Sequence, residues 1–158
     1  MLDAGADALV VFNEICARGC DYLELLNAGS APADLNGWSI ADSEADGGPK
    51  VGEALRLAAG TTLAAGERLL VLTKVEDGGM GLTSECLGSG LARCWRATYG
   101  ISNSRGEGVW LLGPANEVKA STFYPIDGHA TGQSYSRVPE GTGHFTSATR
   151  TPGKTNAP

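Results

Sequence analysis

The chain has 158 residues, 23 of them glycine, and carries a formal net charge of −6. That charge argues against a general nucleic-acid binder, which needs a basic face to neutralise phosphate, and against attachment to anionic lipid. At 42% hydrophobic and 19% charged, with no apolar run near the roughly 18 residues of a membrane-spanning helix, a soluble single domain with a real core is expected.

The opening, MLDAGAD, is acidic and has no long apolar stretch, so it is not a secretory leader and reads as a truncated start. Turn residues then recur, and the stretches between them are short and β-rich. Residues 8–15 (ALVVFNEI) form the first apolar run and residues 21–27 (DYLELLN) the second. Residues 35–41 hold Trp38 and Ile40 two apart, on one face of a strand. Leu55 and Leu57 suggest a short strand, and their spacing does not fit the one helix candidate, residues 51–59. Residues 67–73 (ERLLVLT) follow. Residues 108–112 (GVWLL) and 118–124 (VKASTFY) flank a Gly-Pro-Ala-Asn turn, a hairpin signal, and residues 134–138 (SYSRV) end the series. About eight short strands at regular spacing indicate an all-β antiparallel sandwich or barrel. Residues 74–99 break the rhythm: 26 residues, rich in glycine and carrying two cysteines, make a functional insertion or an unstructured one. Six glycines (Gly78, Gly79, Gly81, Gly88, Gly90 and Gly100) fall in or beside it.

Four cysteines allow three pairings. Cys16 and Cys20 bracket Ala-Arg-Gly between two apolar runs, where a bond staples a turn, and Cys86 and Cys94 close a second local loop. Two disulfides are the expectation, with free thiols and a metal site as alternatives. Zinc takes cysteine pairs separated by roughly two to four residues. Cys16 and Cys20 meet that spacing, Cys86 and Cys94 do not, and no histidine lies nearby in sequence.

A series of signatures runs in order: residues 11–15 (VFNEI), 21–27 (DYLELLN), 34–42 (DLNGWSIAD), 59–66 (AGTTLAAG), 101–107 (ISNSRGE), 136–143 (SRVPEGTG) and 151–156 (TPGKTN). Together they resemble the lamin tail domain in its bacterial branch, the module that also closes nuclear lamins. The resemblance implies an immunoglobulin-like β-sandwich, with residues 1–158 as one domain and an insertion at about 74–99. It further implies a non-enzymatic, extracytoplasmic module that bacteria append to secreted or surface proteins, often beside hydrolase domains. Its partners are then proteins, or the secreted enzyme domain fused to it, met through loops and sheet edges. Lamin tails bind DNA in some cases, which suits a chain of charge −6 poorly. Neither the insertion nor the cysteines belong to the family pattern. Within the signatures, Gly37 and Gly60 are expected at positive φ, Trp38 in the core, and Asn27 and Asn156 in turns. Glu14 and Glu24, alternating with apolar neighbours, are expected to face solvent or to bond backbone at a sheet edge.

Catalytic motifs are missing from the sequence. No Gly-x-Ser-x-Gly elbow occurs, and His129 and His144 have no acid partner in a recognisable order, so both read as solvated loop residues. Four Gly-x-Gly starts, at Gly79, Gly88, Gly106 and Gly141, fail to complete a phosphate-binding loop. One pattern survives. Asp42, Glu44, Asp46, Gly47 and Glu53 nearly reproduce a calcium loop, in which carboxylate oxygens surround a hard cation and glycine makes the sharp turn. Against it, Glu44 stands where Asp or Asn is usual, Pro49 replaces an apolar residue, and the flanks are strands. A solvated acidic loop is the competing reading.

Arg93, Trp95, Arg96 and Tyr99 combine the residue types that dominate interfaces, which makes residues 74–99 the candidate binding surface. The alternative is that Trp95 packs its own loop onto the sandwich. Arg93, Arg96 and Arg105 offer a small basic patch, or simply solvated loop arginines. A carbohydrate-binding module, stacking sugars on Trp95 and Tyr99 beside a structural calcium, is the second functional reading, and a hydrolase the third.

Overall fold

A computed structural model describes residues 7–77 and 79–158. Most of the acidic opening and Gly78 lie outside the described residues. The strands are β1 (Val10–Cys16), β2 (Tyr22–Asn27), β3 (Ala33–Asp34), β4 (Ser39–Ala41), β5 (Leu55–Arg56), β6 (Thr62–Leu63), β7 (Arg68–Leu72), β8 (Gly81–Thr83), β9 (Cys94–Arg96), β10 (Glu107–Leu112), β11 (Val118–Tyr124), β12 (Gln133–Val138) and β13 (His144–Thr149). A seven-stranded sheet has the order β13-β12-β1-β2-β7-β9-β8, a four-stranded sheet the order β11-β10-β4-β5, and β3 pairs with β6. The two larger sheets pack face to face as an immunoglobulin-like sandwich. Phe12, Leu25 and Val71 from one meet Ile40, Leu55, Val109 and Leu111 from the other in a single buried core.

The eight expected stretches correspond to β1, β2, β4, β5, β7, β10, β11 and β12. Gly37 and Gly60 take positive φ (75° and 77°), which lets the chain turn tightly just before Trp38 and after β5. Trp38 packs partly buried against the core. The helix candidate keeps only a single 3-10 turn, Val51–Glu53, before β5 begins. Unexpected are β3, β6, β13 and the two strands β8 and β9 inside residues 74–99. Among its described residues, that segment adds two strands to the large sheet. Its β9 runs parallel to β7, matching Val71 with Trp95, and β8 completes the edge.

Both faces of the large sheet are covered, which explains why β2 is buried along its whole length. Leu23 and Leu25 face the sandwich, whereas Tyr22 joins Leu70 in a second cluster on the opposite face. Cys16, Cys20, Cys86 and Cys94 belong to that second cluster. The cysteines form the expected disulfides, with Cα–Cα separations of 5.6 Å for Cys16–Cys20 and 5.7 Å for Cys86–Cys94. Cys86, Leu91 and Cys94 are thereby held against the outer face of β2 and β7. The C-terminal residues cover the rest of that face, and Thr149 bridges back to Ala157.

Candidate functional site

Register brings Glu14 on β1 opposite Glu24 on β2, and both are 0% exposed. Carboxylates at this depth require donors, because burial without them costs several kcal/mol. The donors come from neighbouring strands and from far along the chain. Glu14 Oε1 accepts the Tyr22 hydroxyl (2.6 Å), the Ser134 hydroxyl and the Thr151 N–H (2.9 Å), while Oε2 accepts the Thr151 hydroxyl (3.2 Å). Glu24 Oε1 accepts Asn13 Nδ2 (3.0 Å) and lies 3.6 Å from Arg68 Nε, and its Oε2 accepts the Gly153 N–H (2.7 Å). Arg68 also pairs with Glu140. Asn156 Nδ2 closes the set by donating to the carbonyls of Asn13 (3.0 Å) and Arg137 (2.9 Å). The result is a polar clasp that welds the 151–156 signature to the centre of the large sheet.

The backbone bonds expected of Glu14 and Glu24 are present, to Thr151 and Gly153, but the expected solvent or sheet-edge setting is corrected: β12 and β7 flank the β1–β2 pair, and the C-terminal residues lie above it. Asn27 does serve its turn, donating to the carbonyls of Ala31 (2.8 Å) and Leu63 (2.9 Å).

Burial pushes the Glu24 carboxyl up to about 7, against the hydrogen bonds from Asn13 and Gly153 that hold it down. Between its ordinary value of 4.5 and about 7, the folded chain keeps a proton at Glu24 that the unfolded chain has released. Stability from this group is therefore fully present below about pH 4.5 and is lost as pH rises through about 7. Denaturation between those limits is expected to show a fall on the order of 2–3 kcal/mol, which Glu24→Gln flattens. An unchanged slope in the variant contradicts the assignment. Asp42, raised by its own burial to about 6, leaves a smaller residual slope of the same sign.

The predicted binding residues do not form one surface. Trp95 and Tyr99 are 6% and 8% exposed and belong to the core, and the Tyr99 hydroxyl donates to the Ile40 carbonyl (2.8 Å). The expectation of an exposed aromatic pair is corrected here: β9 pairs beside β7, so Trp95 points inward with Val71. Arg93 is exposed and Arg96 half-buried. Arg93 lines a cleft of about 390 Å³ between residues 58–63 and 91–95, and Arg105 lines another, of about 590 Å³, beside Asp42 and Glu107. No common arginine patch results, and the buried aromatics offer no platform for a sugar.

Asp42, Glu44, Asp46 and Glu53 do not converge as a calcium loop requires. No three of their carboxylates come within 4.8 Å of one another. An isolated bridge from Ser43 to Pro49 pinches the loop, Asp46 Oδ1 accepts the Gly48 N–H (3.2 Å), and Glu53 pairs with Lys50 (2.9 Å). Glu44 and Asp46 point to solvent while Asp42 is buried. His129 is not a solvated side chain; it is 2% exposed and packs edge-on to Tyr124.

An open surface lies at β11, an outer strand of the four-stranded sheet. Val118 (53% exposed), Phe123 (61%) and Ile126 (62%) project there as large apolar side chains. A signal for this existed in the sequence. The alternation that turns Tyr124 inward puts Phe123 on the same outer side as Lys119 and Ser121.

No curated protein matches the chain. The sequence pattern of the lamin tail domain matches residues 4–125, which include the two disulfides and both glutamates of the clasp. The last two signatures, residues 136–143 and 151–156, lie beyond the matched part, yet β12 and the clasp build them into the same sandwich. With that match over more than three quarters of its length and the two-sheet sandwich it folds into, the chain belongs to the lamin tail domain family.

Proposed function

We propose that the chain is a non-catalytic, extracytoplasmic interaction module that takes an extended segment of a protein partner along β11. The observation that carries this reading is the state of that strand. It has seven residues, sits at the sheet edge, and has no strand on its outer side among the described residues. An edge of this length presents unpaired backbone donors and acceptors to a second chain, and main-chain pairing then gives affinity while side chains give specificity. Phe123 and Ile126 supply the apolar contact. The family's immunoglobulin-like fold supports an interaction role. Neither histidine hydrogen-bonds to a carboxylate among the described residues. Two disulfides in a small domain favour an oxidising compartment. No helix among the described residues is long and apolar enough to cross a membrane.

The test is selection of extended peptides from a random library against the intact chain. Peptides so selected are expected to lose at least roughly tenfold in affinity for the Val118→Lys/Phe123→Lys double variant, since edge lysines oppose strand addition. Both positions are exposed, so thermal stability is expected to move by less than about 0.5 kcal/mol. Failure to select any peptide, or equal binding by the variant, contradicts the proposal.

A further inference from the structure

We propose that reduction of the Cys16–Cys20 disulfide converts the turn after β1 into a binding site for zinc or a metal of similar preference, completed by His129. The spacing of the two cysteines suits such a site, and what the sequence lacks is a histidine. The fold supplies one. Pairing of β12 with β1 carries the loop before β12 to the β1–β2 turn, and the Ala17 N–H meets His129 Nε2 at 3.2 Å across 112 positions. One ligand atom from each of Cys16, Cys20 and His129 lies within 4.8 Å of the other two. Zinc holds sulfur at about 2.3 Å and imidazole nitrogen at about 2.0–2.1 Å, so a tetrahedral site sets its ligand atoms roughly 3.5 Å apart. Side-chain motion alone covers the difference.

The imidazole is already oriented for this role. Its Nδ1 faces the Ala130 carbonyl at 2.9 Å, which can only accept, so Nδ1 carries the hydrogen and Nε2 keeps its lone pair. A carbonyl on the far nitrogen is how metal-bound histidines are commonly held. Tyr124 holds the ring in place from the side, with centroids 5.9 Å apart. Two thiolates and a neutral imidazole are donors that zinc and cobalt accept, with a fourth position open to water.

The step balances. A dithiol reductant gives two electrons and two protons to the Cys16–Cys20 sulfur–sulfur bond and is itself oxidised to a disulfide, leaving two thiols. Zinc then displaces one proton from each thiol and stays divalent. The Nε2 lone pair passes from the Ala17 N–H to the metal, and the ring keeps its Nδ1 proton. Disulfide and metal therefore exclude each other at this turn.

The full chain, reduced and freed of reductant under anaerobic conditions, is titrated with Co²⁺ and then Zn²⁺. One Co²⁺ per chain is expected, with thiolate-to-cobalt charge-transfer absorbance and the bands of tetrahedral cobalt, both erased by Zn²⁺; the oxidised chain shows neither. His129→Ala is expected to weaken binding by more than the roughly 10–100-fold that loss of a supporting contact costs. His129→Cys keeps tight binding with a stronger charge-transfer band, which separates loss of a ligand from loss of fold. His144→Ala and Cys86→Ser/Cys94→Ser bind as the parent does. No cobalt signal from the reduced chain, folded or unfolded, overturns the proposal. So does undiminished binding by His129→Ala, or a signal that vanishes with Cys86 and Cys94.

Discussion

Glu14→Ala is expected to lower the unfolding free energy by about 3–5 kcal/mol, measured by chemical denaturation. The substitution removes the acceptor for the Tyr22 hydroxyl, the Ser134 hydroxyl, and the N–H and hydroxyl of Thr151. Each buried donor left unpaired costs about 1–3 kcal/mol, and partial rehydration of Thr151 keeps the total below the sum. Burial and the Glu14 carboxylate together push the Tyr22 phenol up, so Tyr22 stays a donor across the ordinary pH range. Glu14→Gln keeps the shape and loses the charge, and its cost is expected to be smaller, about 1–3 kcal/mol. A Glu14→Ala variant within about 1 kcal/mol of the parent contradicts the clasp, since surface substitutions are what usually fall that low.

Trp95→Ala is expected to lose a similar amount, about 3–5 kcal/mol, because it empties a large volume in the core. The same variant is expected to leave peptide binding at β11 unchanged wherever it remains folded. These two readouts separate packing from contact. A stable Trp95→Ala chain with impaired peptide binding contradicts the placement of Trp95 and restores residues 74–99 as the interaction surface.

What the sequence reveals is local, and what it hides arises from distant pairing. The apolar runs at residues 8–15, 21–27 and 67–73 are legible because β1, β2 and β7 lie in the middle of the large sheet with both faces covered. The roles of Glu14 and Glu24 are not legible. Three of their partners, Ser134, Thr151 and Gly153, stand more than a hundred positions away, and a carboxylate alternating with leucines looks the same over solvent as under a clasp. Strand β13, HFTSAT, is short of apolar residues because it is an outer strand with much of its surface exposed. Trp95 reads as a contact residue because Arg93, Arg96 and Tyr99 stand beside it in sequence, but parallel pairing with β7 draws it inward, and parallel pairing leaves no turn signal. The calcium pattern fails for a different reason. It specifies spacing, whereas the Ser43–Pro49 bridge sets where the carboxylates point. Gly153 is a further case: it takes a φ of 76° and approaches Ser89 closely, and its purpose, an N–H aimed at Glu24, emerges only in the fold.

The central claim is that two buried glutamates bind the C-terminal signature to the middle of the large sheet. Hydrogen exchange at the Thr151 and Gly153 amides of the intact chain tests it most directly. Both amides lie within the last eight residues, and each donates to a carboxylate that is 0% exposed. Their protection is expected to match that of the β1 and β2 amides and to fall together with it in Glu14→Ala. Exchange as fast as in the exposed loop at residues 44–47 would contradict the clasp and leave the C-terminal signature as a frayed end.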